Sequence, residues 1–120
     1  MMNWYLAKLV FRIICGDGDH TPQFDEQLRL ISAASTDEAF EKAQHTGQKE
    51  QDTFYNRKQQ LVQWQFINVS ELYEITELID GAELYSRIEE RDNAQAYIHV
   101  VNQRAENILI SKTRELLELA

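Results

Sequence analysis

The sequence has one cysteine and one proline, and the shortage of cysteine limits where the protein can work. Cys15 has no second thiol with which it could form a disulfide inside the chain. Small extracellular domains often depend on disulfides, whereas cytosolic proteins keep their thiols reduced. We therefore expect a cytoplasmic protein, and we interpret the glycosylation triplet Asn68-Val69-Ser70 as a chance match.

Long uninterrupted hydrophobic runs are also missing. The most apolar stretch, NWYLAKLVFRIIC from Asn3 to Cys15, is interrupted by Lys8 and Arg12. A secretory signal needs a purely apolar central region, and a membrane-spanning helix needs about 20 predominantly apolar residues. Two cations in the middle of either segment would be too costly. This stretch therefore predicts neither an export signal nor a membrane span.

Basic side chains are scarce relative to acidic ones. The chain has 12 Lys and Arg against 20 Asp and Glu, which gives a formal net charge of −8. Such a field repels phosphate backbones and anionic lipids, so we expect no binding to nucleic acid or to a membrane surface. A basic partner protein would fit this charge, although an acidic surface that only keeps the protein soluble is the simpler interpretation.

Residues suited to catalysis, metal binding or cofactor binding do not form a recognisable motif. The four glycines never take the spacing of a phosphate-binding loop. The loop Gly16–Pro22 contains two aspartates and His20, but it lacks the further oxygen ligands of a calcium loop. His45 and His99 lie in other segments, without the paired spacing of a zinc site. We therefore expect no cofactor, metal or catalytic residue, and we expect Cys15 to be a buried thiol.

The N-terminal part of the chain predicts a β-hairpin. From Trp4 to Cys15, odd-numbered residues form an apolar face, and even-numbered residues form a face on which Lys8 and Arg12 lie among large apolar groups. The first face is expected in the core. The second is too apolar for free solvent, so we expect another element or a second chain to cover it. A turn-rich loop then leads to a second strand from Phe24 to Ala33.

A helix is predicted next. Ser35 and Glu38 have the spacing of a capping box. Small or apolar residues then recur at helical spacing: Ala39, Phe40, Ala43, Gly47 and Phe54. Gly47 could end the helix, or it could let the helix approach a sheet closely. Because Phe54 continues the pattern in register, we favour a close approach and a helix that continues to about Asn56.

Two further strands complete the predicted sheet. Alternation from Leu61 predicts the third strand, and a slip between Ile67 and Val69 indicates a β-bulge. Residues 71–79 fit either strand or a short helix, and both interpretations stay open. An Asp-Gly turn then leads to a fourth strand from Ala82 to Glu89. The predicted fold class is therefore α+β, a β-β-α-β-β antiparallel sheet with one packed helix plus a long C-terminal helix.

That last helix is predicted from a cap at Asp92. Its apolar residues recur at helical spacing: Tyr97, Ile98, Val101, Ala105, Ile108, Leu109, Leu116 and Leu119. A break near Asn102 stays open, because the residues before it are rich in β-branched side chains. We assign residues 1–90 to an α+β core domain and residues 91–120 to a helical extension that packs on the core or on a second subunit.

Several segments together resemble one known family. They are Trp4-Tyr5 with Ala7-Lys8-Leu9, Ser35 to Ala43, Trp64-Gln65-Phe66 followed by Leu72-Tyr73-Glu74, and Asp80-Gly81-Ala82-Glu83-Leu84-Tyr85-Ser86-Arg87. In that order they resemble the small bacterial domain-of-unknown-function family numbered 4288, over about residues 3–87. The closing Asp-Gly turn leading to Tyr-Ser-Arg is the most specific part. The resemblance implies a bacterial, cytosolic α+β domain and carries over no catalytic residues.

Three groups of residues are candidates for an interaction with a partner. They are Trp4, Lys8 and Arg12 on the mixed face of the first strand, the aromatic and cationic set Trp64, Tyr85 and Arg87, and the acidic series Glu71, Glu74 and Glu77. The sequence favours a non-catalytic protein-interaction module that is homodimeric. One alternative is an inhibitor or immunity-type protein that neutralises a basic partner. Another is a small-ligand binder or enzyme with a pocket lined by Tyr5, Trp64, Tyr85 and Arg87.

Overall fold

The computed structural model describes residues 1–119 and contains a four-stranded antiparallel sheet and two helices. In chain order the elements are β1 (Asn3–Cys15), β2 (Gln23–Ala33), α1 (Thr36–Lys49), β3 (Asp52–Tyr55), β4 (Leu61–Ile75) and α2 (Ala94–Leu119). The strands lie in the order β2-β1-β4-β3. The predicted α+β class, with an antiparallel sheet and a long C-terminal helix, is confirmed.

The chain divides into two compact units after Ser86. The first contains the sheet and α1, and the second, from Arg87 onward, contains α2. Neither of the helices described within residues 1–119 combines the length and the apolar content that a membrane span requires.

β1 is an internal strand, and its alternating side chains point to the two opposite faces of the sheet. It pairs with β2 from Asn3 to Ile13 and with β4 from Trp4 to Cys15. Its odd-numbered side chains, including Leu9 and Phe11, form the buried core together with small residues of α1, as predicted. We call the side that α1 covers the helix face and the opposite side the outer face.

α1 begins at the predicted cap and packs closely on the sheet. Ser35 Oγ accepts a hydrogen bond from the Glu38 N–H at 3.2 Å. Gly47 permits the close approach, because a Cβ atom at this position would lie 2.2 Å from a ring carbon of Phe66. The predicted cap and the predicted role of Gly47 are both confirmed.

The predicted continuation of this helix to Asn56 is wrong, because the chain leaves the helix after Lys49 and forms β3. β3 pairs with β4 from Asp52, opposite Trp64, to Tyr55. Its β-branched and aromatic residues favour an extended backbone. Hydrogen bonding to β4 therefore outweighs the helical spacing of Phe54.

The predicted strand from Ala82 to Glu89 is also wrong, because this segment has no regular secondary structure. The strand that pairs with the free side of β4 is β3, which lies beside its first four residues, from Leu61 to Trp64. Within the segment, Tyr85 packs edge-on against Tyr73, with 5.7 Å between the ring centroids. The segment thus contacts the sheet through a side chain and does not extend it by backbone pairing.

β4 is one continuous strand with two irregularities. Its register with β1 shifts so that Ile67 and Ser70 have no partner on β1. The first shift lies where the sequence predicted a bulge. The strand continues to Ile75, which decides the open choice for residues 71–75 in favour of strand.

α2 is one unbroken helix of 26 residues, so it has no break at Asn102. At 1.5 Å per residue it is about 39 Å long. Its cap lies one residue later than predicted, since Asn93 Oδ1 accepts a hydrogen bond from the Ala96 N–H at 3.1 Å. The predicted extension also included the Leu119 side chain and Ala120, which lie outside the described part of the chain.

Replacing Gly47 with alanine should destabilise the protein, although alanine normally favours a helix by about 1 kcal/mol. The added methyl group would overlap the Phe66 ring, and overpacking of this kind typically costs about 1–3 kcal/mol. A separation of 2.2 Å places the cost in the upper part of that range, about 2–3 kcal/mol, so after subtraction of the helix preference urea denaturation should show a free energy of unfolding lower by roughly 1–2 kcal/mol. Gln48→Ala, an exposed change in the same turn, is the control and should be neutral or slightly stabilising.

Combining Gly47→Ala with Phe66→Leu should recover part of the loss, because leucine has no ring at the point of overlap. A Gly47→Ala variant as stable as the wild type would contradict the close approach of α1.

Candidate functional site

A cluster of polar and aromatic side chains on the outer face is the candidate functional site. It contains Lys8 of β1, Glu71 and Tyr73 of β4, and Tyr85 from the segment that follows β4. Lys8 and Glu71 are direct partners across the β1–β4 pair, and Tyr73 lies two residues further along the same face. Residues in such positions on antiparallel strands have side chains close enough to interact. We call these four residues the Lys8 cluster.

The amine of Lys8 is held by carboxylates. Its Nζ lies 2.6 Å from Glu71 Oε2 and 3.9 Å from Glu26 Oε2. The Lys8 side chain is only 16% exposed, and a partly desolvated cation needs an opposite charge nearby. The hydrogen bond to Glu71 raises the pKa of Lys8 above its usual value, although desolvation acts in the opposite direction. The cluster therefore stabilises the protonated amine.

Glu71 also accepts a hydrogen bond from a phenol. Tyr73 donates its hydroxyl to Glu71 Oε1 at 2.6 Å. Because this bond needs the phenolic proton, it raises the pKa of Tyr73, and desolvation adds to the effect. The two oxygens of Glu71 are thus engaged by two different donors.

Tyr85 completes the cluster by packing on both neighbours. Its ring meets Tyr73 edge-on, and Lys8 Nζ lies 5.9 Å from the Tyr85 ring centroid. That separation is within the range of a cation–π interaction. The contact explains how a segment without regular structure is held against the sheet.

The chemistry of the Lys8 cluster favours binding over proton transfer. A general acid or base works best when its pKa lies near the working pH. The pKa values of Lys8 and Tyr73 are both moved further from neutrality. At neutral pH the cluster therefore presents a fixed ammonium, a hydrogen-bonded phenol and a partly exposed Tyr85 ring.

The structure brings together three of the predicted interaction residues, Lys8, Glu71 and Tyr85. Tyr73 is not among the predicted interaction residues, yet it contacts both Glu71 and Tyr85. Its position two residues after Glu71 on a predicted strand is the sequence signal that could have identified it.

The other aromatic and cationic candidates lie elsewhere. Trp4 and Arg12 share the outer face with Lys8, but they lie towards opposite ends of β1. Trp64 lies on the helix face, where its ring centroid is 6.3 Å from that of Phe11. Buried Tyr5 is also on the helix face, so the sheet separates Tyr5 and Trp64 from the Lys8 cluster that includes Tyr85.

The acidic candidates do not form one continuous face. Glu71 lies on the outer face, whereas Glu74 is the partner of Tyr5 and belongs to the helix face. Glu77 follows the end of β4 and is exposed. Arg87 begins the second unit, where its Nη2 lies 2.9 Å from Glu89 Oε1.

The loop between β1 and β2 surrounds an open cavity of about 790 Å³. The Cys15 N–H donates to His20 Nε2 at 3.0 Å, so His20 Nδ1 carries the proton that is shared with the Thr21 carbonyl at 2.9 Å. Asp17 Oδ1 accepts the N–H of Asp19 at 3.0 Å. These groups hold the turn together. No group of three or more potential metal ligands occurs within residues 1–119.

Cys15 is only partly buried, so the prediction of a buried thiol is too strong. Its Sγ lies 3.5 Å from Gln60 Oε1, and Asn56 Nδ2 lies 3.7 Å from the same sulfur. Cys15 is the last residue of β1, where the cover provided by α1 no longer extends. The thiol therefore links the end of β1 to the β3–β4 loop.

The first unit is thus an α+β domain, a four-stranded antiparallel sheet with one helix on one face and a polar cluster on the other. Residues 4–86 match the family described as Domain of unknown function (DUF4288), and the chain belongs to this family. The match ends where the first compact unit ends. The predicted resemblance is confirmed. Comparisons with curated proteins and with solved structures give no match.

Glu71→Gln should lower the pKa of Tyr73 and of Lys8 towards their usual values of 10.0 and 10.5. Both groups hold their protons more tightly in the folded protein, so the stabilisation from these interactions is present below about pH 10 and is lost as the pH rises further. An NMR titration of tyrosines labelled at Cζ measures the effect, with Tyr73→Phe to assign the signal. Glu74→Gln is the control, and a Tyr73 titration unchanged by Glu71→Gln would contradict the assigned cause.

Proposed function

We propose that this protein is a non-catalytic interaction module of the bacterial cytoplasm that associates with a second copy of itself through α2. The main support is a stripe of apolar side chains along one side of this helix. Its members are Tyr97, Ile98, Val101, Ala105, Ile108, Leu109 and Leu116. We call these residues the α2 stripe.

The α2 stripe is narrow and continuous. At 100° per residue, all of its members fall within an arc of about 120°, which is the width of a helix face that packs on a partner. Most of its large apolar side chains are well exposed, and Ile108 is 69% exposed. Isolated helices are marginally stable in water, and packing of an apolar face supplies most of the stability of helices in proteins. Burial of the stripe would therefore stabilise α2.

A second copy of the chain fits the α2 stripe for two reasons. Ile98, Val101, Ala105 and Ile108 follow the alternating spacing of three and four residues that helices use to pair with each other. The residues from Arg87 onward carry 5 basic and 6 acidic side chains, so two copies of α2 repel each other only weakly. The preceding 86 residues, by contrast, carry 7 basic and 14 acidic side chains.

The Lys8 cluster supports the non-catalytic part of this proposal. Its carboxylate is engaged by two donors, and its amine and phenol are held in their protonated forms at neutral pH. Such a cluster positions side chains on a surface and does not exchange protons near neutrality.

Ile108→Lys should weaken self-association strongly. A dimer would bury two copies of Ile108, each worth about 1.5–3 kcal/mol, so the loss of at least about 3 kcal/mol corresponds to roughly 100-fold weaker association. Light scattering over a range of protein concentrations measures this change. Ile110→Lys is the matched control, because Ile110 is also exposed but lies about 160° around the helix from Ile108. A wild-type chain that stays monomeric, or equal effects of the two substitutions, would contradict the proposal.

Lys112→Leu should strengthen the same association. Lys112 lies within the arc of the α2 stripe and interrupts its apolar surface. Leucine at this position adds about 1.5–3 kcal/mol of burial per copy, at least about 3 kcal/mol for the dimer, which should tighten association roughly 100-fold. Sedimentation equilibrium of the wild type and of Lys112→Leu measures the two association constants. Lys112→Leu would leave the association constant unchanged only if this side of α2 lay outside the interface.

A further inference from the structure

Strand β2 is a long, regular edge of the sheet. Its 11 residues pair with β1 without any register shift. No strand lies on its other side within the described residues 1–119. Proteins protect such edges with short strands, proline, bulges or charged side chains, especially lysine. β2 has no proline, bulge or lysine, but it carries the charged residues Asp25, Glu26 and Arg29. The opposite edge consists of the four residues of β3 and, beyond Trp64, of β4, which two register shifts make irregular.

Three of the five outer-face side chains of β2 are large, apolar and exposed. Phe24, Leu28 and Leu30 are 56%, 52% and 49% exposed, respectively. Glu26 lies on the same outer face, whereas Asp25 and Arg29 lie on the helix face. The strand thus combines free backbone groups at its edge with apolar and charged side chains that could meet a matching strand.

A second copy of β2 matches this pattern in one register. A two-fold axis perpendicular to the sheet brings residues of the same face opposite each other. When the axis passes through Gln27, Asp25 lies opposite Arg29 of the second copy, and Phe24 lies opposite Leu30 of the second copy. Symmetry repeats each pair, so the register contains two ion pairs and two apolar pairs.

Neighbouring registers lack these pairs. An axis through Leu28 places Asp25 opposite Ile31, and an axis through Glu26 places Arg29 opposite Gln23. An axis through Arg29 places two guanidinium groups opposite each other, which is unfavourable. We propose that β2 pairs antiparallel with β2 of a second copy, with Gln27 on the two-fold axis, so that two four-stranded sheets become one sheet of eight strands.

The helix face leaves room for this pairing. α1 packs over β1, and the two copies of β1 would be three strand spacings apart, about 14 Å. Packed helices need only about 8–10 Å between their axes. Arg29 Nη1 donates to Glu50 Oε1 at 3.0 Å. Its Nε and Nη2 also donate to Gln27 Oε1, at 3.1 Å and 2.7 Å, and Nη2 donates to Glu50 as well. Of the five N–H donors of the guanidinium, one on Nη1 is therefore left for Asp25 of the second copy.

This surface is distinct from the α2 stripe, because β2 belongs to the first compact unit and α2 to the second. The two contacts also depend on different forces. Pairing of β2 depends on backbone hydrogen bonds and register, whereas pairing of α2 depends on apolar burial. Each contact can therefore be removed without the other.

Disulfide cross-linking of the full chain tests the register. In a Cys15→Ser background, Gln27→Cys would place two thiols directly opposite each other, with Cα atoms about 4.5–5.5 Å apart, which suits a disulfide. We expect mild oxidation to give covalent dimers. Gln23→Cys is the matched control on the same strand and face, with Cα atoms about 26 Å apart, so it should not cross-link. Equal cross-linking of the two variants, or none with Gln27→Cys, would overturn the proposal.

Charge exchange provides a second test in the Gln27→Cys protein. Asp25→Arg alone and Arg29→Asp alone should each slow cross-linking about fivefold, because like charges then face each other. Mixing the two singly substituted chains gives a heterodimer in which both facing pairs again carry opposite charges, so fast cross-linking should return. Thermal melts check that both variants fold. Unchanged rates, or a mixture as slow as its components, would overturn the register.

Adding Ile108→Lys separates the two contacts. Cross-linking through Gln27→Cys should persist in this background, because the β2 contact does not need the α2 stripe. If cross-linking disappears, β2 does not pair on its own and the inference fails. If cross-linking persists and light scattering shows equal association with and without Ile108→Lys, the function proposed for α2 fails instead.

Discussion

The pairing of β1 on both of its sides is the constraint on which the rest of the structure depends. Hydrogen bonding to β2 and β4 fixes its alternation, so odd-numbered side chains lie on the helix face and even-numbered ones on the outer face. A slip of one residue would bring Lys8 into the core and expose Leu9. Both register shifts add residues to β4, so β1 keeps its regular alternation along its whole length.

Features that depend on neighbouring residues could be predicted from the sequence. The two faces of β1, the cap at Ser35 and the irregularity near Ile67 all follow from local alternation or local hydrogen bonding. The end of α1 and the path of residues 82–89 could not be predicted, because they depend on β4 and on Tyr73, which are distant in sequence. The candidate site likewise combines features that could be predicted from the sequence with one that could not. The sequence identified its charged residues separately, but only the strand register places them together.

The Lys8 cluster shows how a charge is retained on a largely apolar face. Leu6 and Ile75 are buried on this side of the sheet, so Lys8 lies in surroundings that disfavour an unpaired cation. Glu71 stabilises the cation, and Tyr73 then occupies the second oxygen of Glu71. Removal of one partner would leave the others partly desolvated without their hydrogen bonds, which is generally more destabilising than replacing the whole group with apolar residues. The cluster therefore fixes the position of the segment that contains Tyr85.

The two proposed self-association surfaces respond differently to salt, because the charge of the chain is unevenly distributed. The first 86 residues carry a net charge of −7, and the remainder carries −1. Pairing through β2 brings two first units side by side, so their repulsion opposes it, and the two Asp25–Arg29 pairs offset only part of that repulsion. Pairing through α2 buries apolar side chains in a unit whose net charge is only −1, so it depends much less on ionic strength. Added salt screens the long-range repulsion between the two first units more strongly than it weakens ion pairs in direct contact. The affinity of the β2 contact should therefore increase relative to that of the α2 contact as ionic strength rises.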